Sequence, residues 1–422
     1  MSETTDKARV VEANRAQVRL VPLDLETAIG EDHPVRAVWT FVERLGMDEF
    51  YERIRSREGT AGRPAIDPRI LLALWIYATV EGVGSAREIE RLTQQHLAYQ
   101  WICGGVSVNH HTLSDFRNLS VDLLNGLLTQ SVTMLLSAGL IELRRVAQDG
   151  MKVRASAGAS SFRRRSRLEK LTELAREQVE ALAKEIEADP GAGSKRQEAA
   201  RKRAAEERQK RVEKALEQMA EAEKRKRSNN GKKKKKKKEA RSSTTDPSAR
   251  VMKMADGGFR PAYNVHMASE TESKVVVAVA VDNAGTDKHA MVPLAEQIET
   301  RYNVRPTEWL ADGGCNSLRN VENMAERECK VFAPLPKPRS SKRTPTDARA
   351  TDSESVKEWR ARMGTDEAKE IYKQRGATSE LVNAQCRGQG LQQFLVRGIE
   401  KVLGVALLHA LVHNMRRTWS FA

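Results

Sequence analysis

The chain has 422 residues, with 72 Lys+Arg against 57 Asp+Glu, a formal net charge of +15 and a pI near 9.7. Hydrophobic residues make up 40% and aromatics 5%, which excludes a membrane-embedded or wholly disordered polypeptide. The length allows about two to four domains, and the basic balance points to a polyanionic partner, nucleic acid before membrane.

The first 20 residues are polar and carry no apolar core of a secretory signal. From residue 25 to about 140 the pattern is helical. His33-Pro34 opens a helix with Val35, Val38, Trp39 and Val42 on one face. Pro68 opens another, apolar nearly all round over 70–78 and therefore expected to be buried. Gly82 and Gly84 end it. Ser85 caps the next helix, with Glu88 in capping-box position. A further helix begins near Thr112. Short helices joined by glycine turns suit a helix-turn-helix-like module that contacts DNA, or equally a plain helical bundle.

At Ile141 the period changes. Residues 142–156 read as a strand ending at Asp149, a turn at Asp149-Gly150, and a short second strand. Residues 163–189 are an amphipathic helix, and a very polar helix follows the turn at 189–193 and runs to about Arg227, so the two form a hairpin. Seven lysines at 232–238 follow. The segment 161–250 holds 29 Lys+Arg and 16 Asp+Glu, a net +13 of the total +15. The lysine run is either a solvated loop or a non-specific phosphate-binding element.

Strands return after Asp246-Pro247. Residues 262–269 alternate, and 274–282 form a β-branched run expected of a central strand buried on both faces. A helix spans 287–302. A buried strand over 306–312 ends in Asp312-Gly313-Gly314, and a helix over 317–328 leads to a short strand at 330–334. Residues 335–352 are a loop, and helices occupy 353–420. The order predicts an α/β (α+β) fold, a mixed sheet covered by helices.

Cysteines stand at 103, 315, 329 and 386 without a Cys-x-x-Cys spacing, as in a reduced, cytosolic protein. His409 and His413 lie one turn apart without an acidic partner, and packing is the better reading. Cys315 reads as a turn residue. Asp287, at a helix start, reads as an N-cap or first-turn carboxylate ahead of a supporting place at a site. Trp359 lies in a polar run from which it can reach DNA, whereas the other tryptophans sit at packing positions.

Asp149, Asp312 and Glu380 stand out by position. Carboxylates at neighbouring strand ends converge on one crevice, and two Asp with a Glu supply hard oxygen ligands for Mg²⁺ or Mn²⁺. Periodicity alone does not select these three from 57 acidic residues.

The surrounding segments do. Residues 148–157 (QDGMKVRASA), 246–253 (DPSARVMK), 258–266 (GFRPAYNVH), 286–293 (TDKHAMVP) and 309–316 (WLADGGCN) resemble, in order, the catalytic blocks of insertion-sequence DDE transposases. Tyr372, Arg375 and Glu380 match the Tyr-x-x-Arg…Glu signature. Residues 63–77 and 110–117 resemble the N-terminal helical domain of the same family, and 397–417 also fits. The sequence departs from the family pattern at Cys315, at His266 and over 381–385 (LVNAQ), where a Pro and a Phe are replaced.

The resemblance implies a flexible N-terminus (1–20), a helical DNA-binding domain (21–140), an RNase H-like DDE catalytic domain (141–162 plus 246–422) and a basic helical-hairpin insertion (163–245). It implies that Asp149, Asp312 and Glu380 hold two divalent ions, Mg²⁺ or Mn²⁺. Cleavage of transposon-end DNA and strand transfer into a target follow from it. Tyr372, Arg375 and Arg387 would contact DNA or scaffold the site, joined by Lys232, Lys233, Lys234 and Lys235 of the lysine run. The partners implied are double-stranded DNA (terminal inverted repeats and target) and a second copy as a homodimer on DNA, with no membrane, in the bacterial cytoplasm on the nucleoid. The alternative is a catalytically decayed copy that only binds terminal repeats.

Overall fold

The computed structural model describes residues 16, 24–57, 59, 63–188, 194–229, 239–337 and 344–419. Helices come first: α1 (Leu25–Ala28), α2 (Pro34–Arg44), α3 (Asp48–Glu52), α4 (Pro68–Val80), α5 (Ala86–Gln95), α6 (Leu97–Cys103), α7 (His110–Leu119) and α8 (Val121–Ser137). His33 and Asp67 accept from the N–H groups of Val35 and Arg69, with Pro34 and Pro68 at the first helical position. Proline is tolerated there because its missing N–H has no intrahelical partner. Ser85 and Asn109 cap α5 and α7, so α7 starts at His110 rather than near Thr112. α4 is buried over 71–79, as its all-round apolar sequence requires.

β1 (Arg145–Arg154) is one continuous strand, which corrects the expected turn at Asp149-Gly150. Asp-Gly makes a hairpin turn when the segments flanking it pair with each other. Here both flanks pair with the same partner, from Val146↔Glu270 to Arg154↔Ala262, and that ladder overrides the local signal.

A helical hairpin follows. A two-stranded clamp, β2 (Phe162–Arg163) with β3 (Ser242–Ser243), closes its base around α9 (Arg165–Ala188) and α10 (Lys195–Asn229). Ion pairs Arg165–Glu223, Arg176–Glu213 and Arg201–Glu185 step along the two helices and fix them as an antiparallel hairpin. Leu168, Ala215 and Met219 bury the seam together with Ala240. The lysine run, including Lys232 to Lys235, lies outside the described residues.

The chain continues as β4 (Arg250–Lys253), β5 (Phe259–Glu270), β6 (Val276–Asp282), α11 (Met291–Tyr302), β7 (Glu308–Ala311), α12 (Leu318–Ala325), β8 (Lys330–Phe332), α13 (Glu354–Met363), α14 (Asp366–Gly388) and α15 (Ile399–Thr418). The sheet order is β4-β5-β1-β7-β8, with β6 also paired to β5. β7 and β8 run parallel to their neighbours, and the other pairings are antiparallel.

β6 is buried on both faces over Val276 to Val279, as expected, but among the described strands it pairs only with β5 and so is not central. A β-branched run reports burial and says nothing of place in the sheet. The N–H and C=O of Val276 both bond to the Asn414 side chain, each at 2.8 Å, so α15 takes the place of a neighbouring strand. His413, beside it, bonds to the Lys274 carbonyl and to Gln385, each at 2.7 Å, and His409 is buried. Both histidines pack, as expected.

One continuous core joins Val38, Leu72 and Leu124 of the early helices to Met151, Val265 and Val276 of the sheet through Val402, Leu407 and Leu411 of α15. A second core on the other face contains Trp309 and Trp359. Trp359 is fully buried there, which corrects the expectation that it reaches DNA. The polar residues around it belong to other faces of α13, and Arg360 is itself buried against Asp352 at 2.7 Å. All four cysteines are free and buried. Among the described residues no single helix is long and apolar enough to cross a membrane.

Candidate active site

The parallel pairing of β1 with β7 runs from Arg145↔Glu308 to Gln148↔Ala311 and stops. The next residues on the two strands are Asp149 and Asp312. Asp149 is still held by β5, whereas the chain leaves β7 into Gly313-Gly314. The two carboxylates therefore stand side by side where the strands part, the kind of crevice in which open sheets place ligands.

Each carboxylate is oriented. Asp149 Oδ1 accepts from its neighbour Gly150 N–H at 3.0 Å and from Arg375 Nη2 at 3.1 Å, and Oδ2 accepts from Asn383 Nδ2 at 2.8 Å. Arg375 and Asn383 lie two turns apart on α14, which crosses over β1. Asp312 Oδ1 accepts from the Cys315 N–H at 2.9 Å, closing the turn after β7.

Burial pushes the Asp149 carboxyl above the usual carboxylate range; Arg375 opposes this and the charge of Asp312 adds to it. Burial likewise pushes the Cys315 thiol far up, and Asp312, Asp287 and Asp149 add to the shift. A thiol so placed is no nucleophile, in keeping with its reading as a turn residue. Its environment also shows that Asp287 belongs beside the pair.

Asp287 opens a 3₁₀ turn at Asp287–His289, but the side chain capping that turn is Thr286. The Asp287 carboxylate instead accepts from Asn264 Nδ2. It occupies the space a side chain at residue 150 would fill, since a Cβ on Gly150 would collide with it. Oxygens of Asp287 and Asp312 and the sulfur of Cys315 all lie within 4.8 Å of one another.

The other expected residues fall as follows. Tyr372 is half-buried beside Arg375 and near both Asp149 and Asp312, and burial raises its phenol. Arg387 is exposed and lines a cleft of about 590 Å³ with Gly150, Lys152, Arg154, Lys253, Arg260 and Asp287. Glu380 is on α14, one turn before Asn383, but it is exposed and has no hydrogen bond or ion pair among the described residues. The structure thus brings Asp149, Asp312, Tyr372 and Arg375 together and leaves Glu380 at the solvent side of the same helix.

Sequence reasoning missed Asn383 and gave Asp287 a lesser place. Asn383 lies in the stretch read only as a loss of packing residues. The signal for Asp287 was its block, TDKHAMVP, rather than its place at a helix start.

The donor set suits a hard divalent cation. Asp312 and Asp287 offer carboxylate oxygens within 4.8 Å of each other, with Asp149 beside them, and their mutual repulsion is relieved when a cation lies between them. Family models match two stretches of the chain, one before β1 and one after β7. Residues 23–119 match a transposase domain, DUF772, and residues 325–419 match a transposase DDE domain. Two stretches of the chain thus match transposase domains. The first match spans α1 to α7. The DDE match holds Tyr372, Arg375, Glu380, Asn383 and Arg387, while Asp149 and Asp312 precede it. Neither the curated proteins nor the solved structures return a match to this chain.

Proposed function

We propose that this chain is a DDE transposase that cuts transposon-end DNA and joins it to a target, with Asp149, Asp312 and Glu380 as its catalytic carboxylates. The observation that carries the reading is the in-register placement of Asp149 and Asp312 beyond the last β1–β7 pair, under a helix bearing Tyr372 and Arg375. The order β6-β5-β1-β7-β8, with β5 antiparallel to both neighbours and β7 and β8 parallel, supports an RNase H-like core. On this reading the catalytic domain is 141–162 plus 246–422, with a helical DNA-binding domain over 21–140 and the hairpin over 163–245 as an insertion.

Asp149 and Asp312 would hold Mg²⁺ or Mn²⁺, joined by Glu380 from the helix that carries Arg375 and Asn383. When bound, such ions would supply Lewis-acid activation of a water or 3′-hydroxyl and charge stabilisation of the leaving oxygen in a phosphoryl transfer. The residues of this chain orient and hold. Arg375 and Asn383 fix the Asp149 carboxylate so that its remaining lone pairs face the crevice. Tyr372 and the outer edge of Arg375 offer donors to a phosphate. Arg387 with Lys152, Arg154, Lys253 and Arg260 lines the adjoining cleft, where a DNA backbone is neutralised on its way to the carboxylates.

The test is a supercoiled plasmid carrying the element's own ends, incubated with Mg²⁺ and the full chain. Nicked and joined products are expected from the wild type, with a loss of about 10²-fold or more in Asp149→Asn and Asp312→Asn. Equal nicking by all three overturns the catalytic reading. The exposed position of Glu380 favours one alternative, a decayed copy that only binds terminal repeats. That alternative predicts a gel shift on end DNA without nicking by the wild type. A homodimer on paired ends is part of the proposal and is read from the mass of the DNA complex.

A further inference from the structure

The crevice holds a carboxylate that the proposed triad does not use. Asp287 reaches Asp312 from the 3₁₀ turn after β6, and both carboxylates converge on Gly314. A Cβ on Gly314 would stand 3.1 and 3.3 Å from the Asp312 oxygens and 3.4 Å from Asp287 Oδ2. Two adjacent carboxylates repel each other, and among the described residues no Lys or Arg pairs with Asp287. Its Oδ1 takes a neutral amide hydrogen from Asn264, and Arg375 is spent on Asp149.

A second observation lies behind Asp287. The His266 side chain is fully buried. Its Nε2 is 3.0 Å from Asp282 Oδ2, while Nδ1 has no hydrogen-bond partner and faces Asp287 Oδ1 at 4.0 Å. A buried ring nitrogen without a partner is unfavourable, and this one is aimed at the back of the carboxylate. Asn264 also leaves its Oδ1 buried and unpaired. The residues behind Asp287 thus form a polar wall that holds the carboxylate out toward Asp312 without satisfying it.

Gly150 completes the arrangement. A Cβ there would lie 2.8 Å from Asp287 Cγ and 3.2 Å from His266 Nδ1, so only glycine lets the three groups meet.

We propose that Asp287 is a ligand of the same metal centre and that it and Asp312 share one divalent cation of the Mg²⁺ or Mn²⁺ class, with Asn264 and His266 as the residues that position it. The inference rests on the reading of Asp149 and Asp312 as metal ligands. Among the described residues, the oxygen donor that approaches Asp312 within ligand range from outside its own turn is Asp287 rather than Glu380.

The experiment measures Mn²⁺ binding to the full chain by calorimetry and by the electron paramagnetic resonance signal of free Mn²⁺, without DNA. Variants are Asp287→Asn, Asp312→Asn and Asp149→Asn, each melted in EDTA to establish folding. The expected result is a loss of affinity of about tenfold or more in Asp287→Asn, with the melting temperature in EDTA kept and the Mn²⁺-induced rise reduced. Mn²⁺ affinity within twofold of wild type in Asp287→Asn, alongside a loss in Asp312→Asn, overturns the inference and leaves the proposed function standing. Unchanged affinity in all three variants overturns the metal-centre reading itself. Should Asp287→Asn fail to fold, Asp287→Ser, which removes the charge and keeps an acceptor for Asn264, gives the same decision.

Discussion

Asn383 donates to Asp149 across 2.8 Å, from a helix that joins the sheet more than two hundred residues later in the chain. The bond uses the one oxygen of Asp149 that Arg375 leaves free. A hydrogen bond to a charged group contributes about 1.5–3 kcal/mol. Asn383→Leu is therefore expected to slow Mg²⁺-dependent nicking about 10- to 100-fold while DNA binding in a gel shift is unchanged. A variant nicking at the wild-type rate would show that Arg375 alone orients Asp149.

Gly150 and Asp287 compete for one volume. Gly150→Ala is expected to cost about 1–3 kcal/mol, the usual range for overpacking, because the added methyl meets the Asp287 carboxylate rather than open space. Gly150 has no positive φ, so backbone strain adds nothing. The double variant Gly150→Ala with Asp287→Gly should recover most of the lost stability. Chemical denaturation of the four proteins gives the coupling, and simple additivity would show that the two positions do not meet.

The edge of β6 depends on a side chain. Asn414→Leu leaves the N–H and C=O of Val276 buried without partners, at about 1–3 kcal/mol for each lost group. A drop of about 2–5 kcal/mol in unfolding free energy is expected, along with faster amide exchange at Val276. Protection of that amide at the wild-type level would mean that another group covers the edge.

Stability should fall in mild acid through His409 and His413. Burial holds both neutral, with pKa values near 4 against the ordinary 6.5. Above 6.5 both states are neutral and nothing is lost. Between 6.5 and 4 the unfolded chain binds protons that the folded chain refuses, so unfolding becomes easier as pH falls. The loss approaches about 3 kcal/mol per histidine by pH 4. Thermal melts from pH 7.5 to 4.5 should decline, and less steeply in His409→Leu. Parallel pH profiles for the two proteins would remove His409 from the account.

Much of this architecture is legible in the sequence because periodicity reports burial directly. α4 is apolar all round and buried, and α9 carries its leucines at spacings of three and four and forms the expected hairpin. What periodicity does not report is which segments pair. Asp149-Gly150 carries a turn signal, but β5 runs past both residues and keeps them extended. β6 reads as a central strand because α15 and α11 cover it as fully as strands would. Asp149, Asp312, Tyr372 and Arg375 were found through the segments around them, and the structure gathers them. Asp287 and Asn383 were undervalued because a carboxylate at a helix start and an amide within a helix have ordinary local roles. Their partners lie far away in the chain.

α15 seals the early helices against the sheet, and this orders events in the life of the polypeptide. Until residues 399–418 have left the ribosome, the surfaces around Leu72 and Val276 have no partner, and the edge of β6 has no amide to bond. A nascent chain therefore holds Asp149 and Asp312 well before it owns the helix that completes the core on this face of the sheet. Interrupted translation therefore yields fragments that expose apolar surface and lack the finished core.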